Sequence, residues 1–178
     1  MDIDDILVDC NRAVLEYYNK LNGTSHQYQD INTHTLRDFL KISRQQERQL
    51  RNDFHINEED ILLPIEGALE GLLTLKSYEL IAISTRSYHI RTQTEKTLAK
   101  YFPEIFDNIP IHLLGSPDPN YVRPSKGEFA KDLGISIFID DMFPNAESLA
   151  AYDIDVVLLD KPWNQSDKII DKIHRVYN

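Results

Sequence analysis

Asp2 and Asp4 stand two positions apart in the opening segment Met1-Asp2-Ile3-Asp4-Asp5-Ile6-Leu7. Two later segments set polar groups directly after apolar runs. One is Ile83-Ser84-Thr85-Arg86; the other is Ile139-Asp140-Asp141, with Lys126 upstream of it. Each is a weak signal by itself. A D-x-D in an acidic chain is commonly a surface feature, and Ser-Thr after a strand is commonly a turn or a helix cap. Asp140-Asp141 says more, because paired carboxylates at a strand end repel unless a cation or another partner sits between them. Asp140 would also suit the cap of a helix beginning near Pro144.

Taken together, the set matches the needs of phosphoryl transfer. Transfer to a carboxylate needs a nucleophile with a fixed in-line approach, which Asp2 at a strand end would provide. Side chains two apart on an extended strand face the same way. A turn beginning after Asp2 would instead swing Asp4 over the leaving-group oxygen as a proton donor. Mg2+ takes oxygen ligands and keeps several waters, so two carboxylates and a backbone carbonyl suffice to hold it. It would offset the charge of two acids beside a phosphate dianion and polarise the phosphoryl oxygens. Ser84 and neighbouring backbone N–H groups would bind those oxygens, and Lys126 would add a point charge where negative charge builds up.

Such distant residues meet only if strand ends bring them together. Four short apolar runs are of strand type: Leu80 to Ile83, Ile109 to Leu114, Ile135 to Ile139 and Val156 to Leu159. Each is too short for a buried helix and most are rich in β-branched residues. Helical segments are expected between them. Ala68, Leu69, Leu72, Leu73 and Leu75 share one apolar face, and residues 89–101, Lys126 to Leu133 and Pro144 to Tyr152 follow. A last helix is expected from Asp167 to Val176. This alternation predicts an α/β fold with a doubly wound parallel sheet, whose strand C-termini converge on one crevice. Residues 11–63 hold no convincing strand. Val14, Leu15, Tyr18 and Leu21 make an amphipathic helix capped by Asp9, and a polar helix is expected from Ser43 to Phe54. The domain expectation is a core of residues 1–10 and 64–178 with a helical cap of residues 11–63.

Composition narrows the partners. The chain has 178 residues, 42% of them hydrophobic, enough for one cored domain. Its formal charge of -10 argues against a general grip on nucleic acid, which needs a basic surface. A single cysteine, Cys10, precludes an internal disulfide and suits a reducing cytoplasm. No apolar run approaches the roughly 20 residues of a membrane span, and the acidic start is unlike a signal peptide. The expected partners are a small phosphorylated substrate, a nucleotide first of all, and at most a second copy of the chain in a homodimer.

In order along the chain, these segments resemble the four motifs of the haloacid dehalogenase superfamily of phosphohydrolases. They are D-x-D-x-[TV] as Asp2-Ile3-Asp4-Asp5-Ile6, a strand ending in Ser84, a lysine as Lys126, and D-D as Asp140-Asp141. More narrowly, the chain looks like the 5′(3′)-deoxyribonucleotidase branch. Asp4-Asp5-Ile6-Leu7-Val8-Asp9 is close to that branch's D-G-V-L-A-D, Pro64 to Leu69 is similar to its P-I-x-G-A stretch, and Lys161-Pro162-Trp163-Asn164 to the loop after its last core strand. The resemblance implies that Asp2 forms an aspartyl-phosphate and binds Mg2+. It implies that Asp4 is the acid/base and lends the metal its backbone carbonyl, and that Asp141 is a metal ligand. Asp140 supports Asp141 or Lys126, while Ser84, Lys126 and the Thr85 backbone hold phosphate. The cap is implied to select the leaving group. Tyr17, Tyr18, Phe39, Phe54 and His55 are its rings, more readily placed in a core than against a base. Ile6 stands where the family has Val or Thr. Only Met1 precedes Asp2, so the first strand is either very short or the sequence begins inside a longer chain.

Overall fold

The computed structural model describes residues 1–178 except His34, Pro119 and Asn178, and describes Glu59 by its backbone only. Its elements are α1 (Cys10–Asn22), α2 (Leu36–Leu40), α3 (Arg44–Asn57), α4 (Ala68–Thr74), β1 (Ala82–Ser87), α5 (Arg91–Tyr101), β2 (Ile111–Gly115), α6 (Lys126–Asp132), β3 (Ile137–Asp140), α7 (Phe143–Ala150), β4 (Asp155–Leu159) and β5 (Ile173–Val176).

All strand ladders are parallel. β1 pairs with β2, and β3–β4–β5 form a second ladder. Met1 and Asp2 join the two. The Met1 nitrogen donates to the Ile81 carbonyl at 2.9 Å, and the Ile83 N–H donates back to the Met1 carbonyl at 2.9 Å. On the other side the Asp2 N–H donates to the Ile139 carbonyl at 2.9 Å. Two residues therefore occupy the centre of the sheet, between β1 and β3. Around them, Met1, Ile3, Ile6, Leu7 and Val8 all lie in the main apolar cluster. A second cluster of Ile83, Phe138, Leu149, Val156 and Leu158 packs α7 on the sheet.

Among the described residues, the segment 11–63 contains helices and no strand. Tyr17 of α1 meets Phe54 of α3 with ring centroids 5.9 Å apart. Cys10, Ala13, Val14, Leu15 and Tyr17 of α1, and Leu50 and Phe54 of α3, belong to the same cluster as Ile3 and Val8. No described helix is long and apolar enough to cross a membrane.

Three sequence expectations need correction. Residues from Asp167 onward do not form a helix; Ile173–Val176 is instead strand β5. The open edge of β4 offers unpaired backbone groups that a strand satisfies and a helix would not. Ile169, which would have lain on the helix's apolar side, is 98% exposed. Asp9 sits at the N-cap of α1, yet its side chain makes no cap bond. It pairs with Arg12 at 2.6 Å, and the Asn11 N–H donates to Asp5 Oδ1 at 3.0 Å instead. Finally, Ser84 and Thr85 lie within β1 rather than beyond its end. The ladder to β2 slips between Ser84 and Ser87, opposite Gly115. A Cβ at Gly115 would stand 2.5 Å from the Thr85 carbonyl oxygen, so the glycine lets β1 continue past the irregularity.

Candidate functional site

Asp2 leaves the sheet centre with its side chain buried. Its Oδ1 accepts the Ile3 N–H at 2.7 Å, and its Oδ2 is in contact with the Lys126 ammonium. Lys126 opens α6, whose cap is Ser125, accepting the Glu128 N–H. The same ammonium donates to Asp140 Oδ2 at 2.7 Å. Asp140 is saturated: Oδ1 also accepts the Met142 N–H at 2.8 Å, and Asn145 reaches both oxygens at 3.1 and 3.3 Å. Asp141 is held by the loop after β4. Trp163 Nε1 donates to its Oδ2 at 2.8 Å, and Asn164 Nδ2 donates to its carbonyl at 2.6 Å.

Carboxylate oxygens of Asp2, Asp140 and Asp141 all lie within 4.8 Å of one another. Three buried acids share one lysine, a deficit of positive charge. Burial first, with Asp140 adding to it and Lys126 opposing, raises Asp2 to about 6. Asp141 is pushed well above the usual carboxylate range by burial, then by Asp5 and Asp140. The donor set is all oxygen and hard, as Mg2+ prefers, so a divalent cation fits this cluster. Each Asp140 oxygen already accepts two donors, whereas Asp2 Oδ1, Asp2 Oδ2 and Asp141 Oδ2 accept one each, so Asp2 and Asp141 keep more acceptor capacity for it.

Asp4 is turned away from this cluster. A tight turn after Ile3 returns the chain, with Leu7 N–H donating to the Ile3 carbonyl at 2.9 Å. Asp5 at its apex has φ of 58°, a left-handed conformation that Asp tolerates better than most residues. Asp4 emerges opposite Arg86, whose Nη2 and Nε donate to it at 2.8 and 3.1 Å. Burial would raise Asp4, but the charge and hydrogen bonds of Arg86 outweigh it and hold the carboxyl below its usual range. Arg86 is anchored in turn to Thr94 Oγ1 at 3.0 Å. Asp5 is buried and raised to about 7, chiefly by that burial.

A cavity of about 350 Å³ opens above these groups. Asp2, Asp4, Asp5, Thr85, Arg86 and Asp141 form its core-side wall. Ser84 does not line it: its hydroxyl is fully buried and accepts the Arg86 N–H at 3.2 Å. Lys126 and Asp140 sit behind Asp2. Of the sequence-derived site residues, Asp2, Asp4, Thr85 and Asp141 line the cavity, while Ser84, expected to bind phosphate, is buried behind it along with Lys126 and Asp140. Sequence reasoning passed over Arg86, Asp5, Asn145 and Trp163. Arg86 belongs to the Ile83–Arg86 segment and Trp163 to the Lys161–Asn164 loop, but nothing in the sequence marks Asp4 and Asp141 as their partners. Of Tyr17, Tyr18, Phe39, Phe54 and His55, His55 alone lines the cavity.

This arrangement has counterparts of known structure. A haloacid dehalogenase-like protein of Bacteroides fragilis superposes with a TM-score of 0.61 at 17% identity, over 99% of this chain and 93% of that one. The fold is that of the haloacid dehalogenase-like hydrolases. A haloacid dehalogenase-like family hydrolase of Streptococcus pneumoniae gives 0.59 at 18% identity, over 89% and 82% of the two chains. A hydrolase of the same family from Deinococcus radiodurans, solved with bound phosphate and sodium, gives 0.55 at 16%, over 89% and 78%. No protein-family model matches the sequence, and no curated protein does. In this haloacid dehalogenase-like fold, the short Met1–Asp2 segment takes the central place in the sheet, flanked by β1 and β3.

Proposed function

We propose that the chain is a Mg2+-dependent phosphomonoester hydrolase that works through an aspartyl-phosphate on Asp2. The observation carrying this reading is the position of Asp2: at the sheet centre, on a cavity wall, beside Lys126 and Asp141. The bound phosphate of the Deinococcus radiodurans neighbour supports the same ligand chemistry.

Asp2 and Asp141 would hold the cation, with the Asp4 carbonyl as the third protein ligand that the motif implies. When bound, Mg2+ supplies charge neutralisation and polarises the phosphoryl oxygens. Lys126 holds one Asp2 oxygen in place and adds positive charge where the transferring group becomes more negative. Thr85 and the neighbouring backbone bind the phosphoryl oxygens. Asp4 is the proton-transfer group: ionised, as its pair with Arg86 holds it, it takes a proton from the water that attacks the aspartyl-phosphate, while the donor role toward the leaving oxygen that the motif resemblance implies needs the protonated form that this ion pair opposes. Arg86 keeps Asp4 ionised, the form the second step requires. Nucleoside monophosphates are the substrates that the motif resemblance suggests; other small phosphomonoesters are the alternative.

Phosphate release from a panel of nucleotides and sugar phosphates, with and without Mg2+, tests the reading. Release should need Mg2+ and vanish in Asp2→Asn. Release that survives this substitution would overturn the mechanism. Tight binding of phosphate esters with no turnover would assign the chain to a phospho-ligand-binding role instead.

A further inference from the structure

Six of the chain's nine arginines line this cavity, from α2, α3, β1 and the loop before α6, in a protein of net charge -10. Three of them are neutralised. Arg86 pairs with Asp4, Arg51 with Glu47 at 3.5 Å, and Arg37 with Asp38 at 3.4 Å. The other three are not. Among the described residues, Arg48 donates only to the neutral Asp118 carbonyl, at 3.3 Å. Among the described residues, Arg44 and Arg123 form no ion pair and no hydrogen bond.

Their placement works against the free protein. Arg44 and Arg48 are one turn apart on the same face of α3, where like charges repel. Arg123 approaches from the loop before α6, and its guanidinium is lowered by desolvation first and then by the charges of Arg44 and Arg48. The phosphoryl group does not need them, since Asp2, Lys126, Thr85 and the cation hold it at the other wall. Arg44, Arg48 and Arg123 line one cavity, and the Glu47 carboxylate beside them is taken by Arg51; guanidinium groups so placed suit a planar anion, which they bind bidentately.

We propose that Arg44, Arg48 and Arg123 form a second anion site, so that the preferred substrate carries a carboxylate or a second phosphate on its leaving group. The assignment rests on the phosphatase reading for its first anion only. Among nucleotides it selects bisphosphates over monophosphates; outside them it selects phosphorylated acids and bisphosphates over neutral sugar phosphates.

Non-hydrolysable probes separate this site from turnover. Calorimetry in Mg2+ would compare an alkylphosphonate with its ω-carboxylate and ω-phosphonate counterparts, over a series of chain lengths. At the best length the doubly anionic probes should bind at least about tenfold more tightly, an advantage that shrinks with added salt. Arg44→Gln/Arg123→Gln should bring the ratio of affinities close to one; both residues are exposed and unpaired, so the variant should fold. Arg48→Gln should lower the ratio separately. The carboxylate and phosphonate arms report which anion is favoured. Equal affinity of singly and doubly anionic probes at every length, or a preference unchanged in the double variant, would overturn the site. A preference that holds while no ester is hydrolysed would retain the site and remove the phosphatase.

Discussion

Arg86 shows how one residue sets the protonation of another. Its side chain is 2% exposed and its fork grips Asp4, so Arg86→Gln leaves a partly buried carboxylate without its cation. Loss of one partner of such a pair costs about 3 kcal/mol, to be read from urea unfolding. The kinetic effect has a definite sign. Burial raises Asp4 and Arg86 lowers it, so removing Arg86 moves the carboxyl up. The acid limb of the rate profile should then shift to higher pH in Arg86→Gln. An unshifted limb would show that Asp4 is not the titrating base. The acids of the site were legible because Asp is scarce at the end of an apolar run unless something uses it. Arg86 was not, because an arginine next to Ser84-Thr85 looks the same in sequence whether it meets solvent or a carboxylate 82 positions away.

The elements were legible to the degree that they are regular. Four apolar runs gave β1 to β4 within a few residues, since a buried parallel strand needs an unbroken apolar stretch. β5 was missed because an edge strand needs no such stretch, and its residues alternate between partly buried and exposed. The central Met1–Asp2 segment was also beyond pattern reading, being too short to have a period. Helix packing is carried by a glycine that no periodicity marks. A Cβ at Gly127 would fall on the Ser148 carbonyl oxygen, so α6 and α7 touch through this residue. Gly127→Ala must push α6 away, and Lys126 precedes it. Overpacking of this kind costs roughly 1–3 kcal/mol. Because Lys126 bridges Asp2 and Asp140, the variant should also lose phosphate-releasing activity at temperatures where it remains folded. Full activity in a folded Gly127→Ala would mean that α6 tolerates the shift without moving the ammonium.

For the whole molecule, gathering acids at the sheet centre has a consequence for stability. Asp2 and Asp5 are raised to about 6 and about 7 from 3.8, so the folded chain binds protons there that the unfolded chain has released. Groups raised in this way stabilise fully below their unfolded value and lose that contribution as pH rises through the folded one. Asp4 is lowered and acts oppositely, its contribution being lost as pH falls below the unfolded value. The buried Met1 amine, lowered from 8.0 to about 5 by burial, gains over that range, but the raised acids outweigh it, so without divalent cation the melting temperature should peak near about pH 5 and fall toward about pH 8. Mg2+ competes with those protons, so it should raise the melting temperature more at the alkaline end. Repulsion among surface acids would also tilt the curve, and Asp5→Asn separates the two causes. Asparagine accepts the left-handed backbone at this position and can still receive the Asn11 N–H, while it carries no charge. The slope between the two pH values should flatten in this variant. A slope unchanged by Asp5→Asn would place the pH dependence on the surface, and the buried acids would then be paired more fully than their geometry indicates.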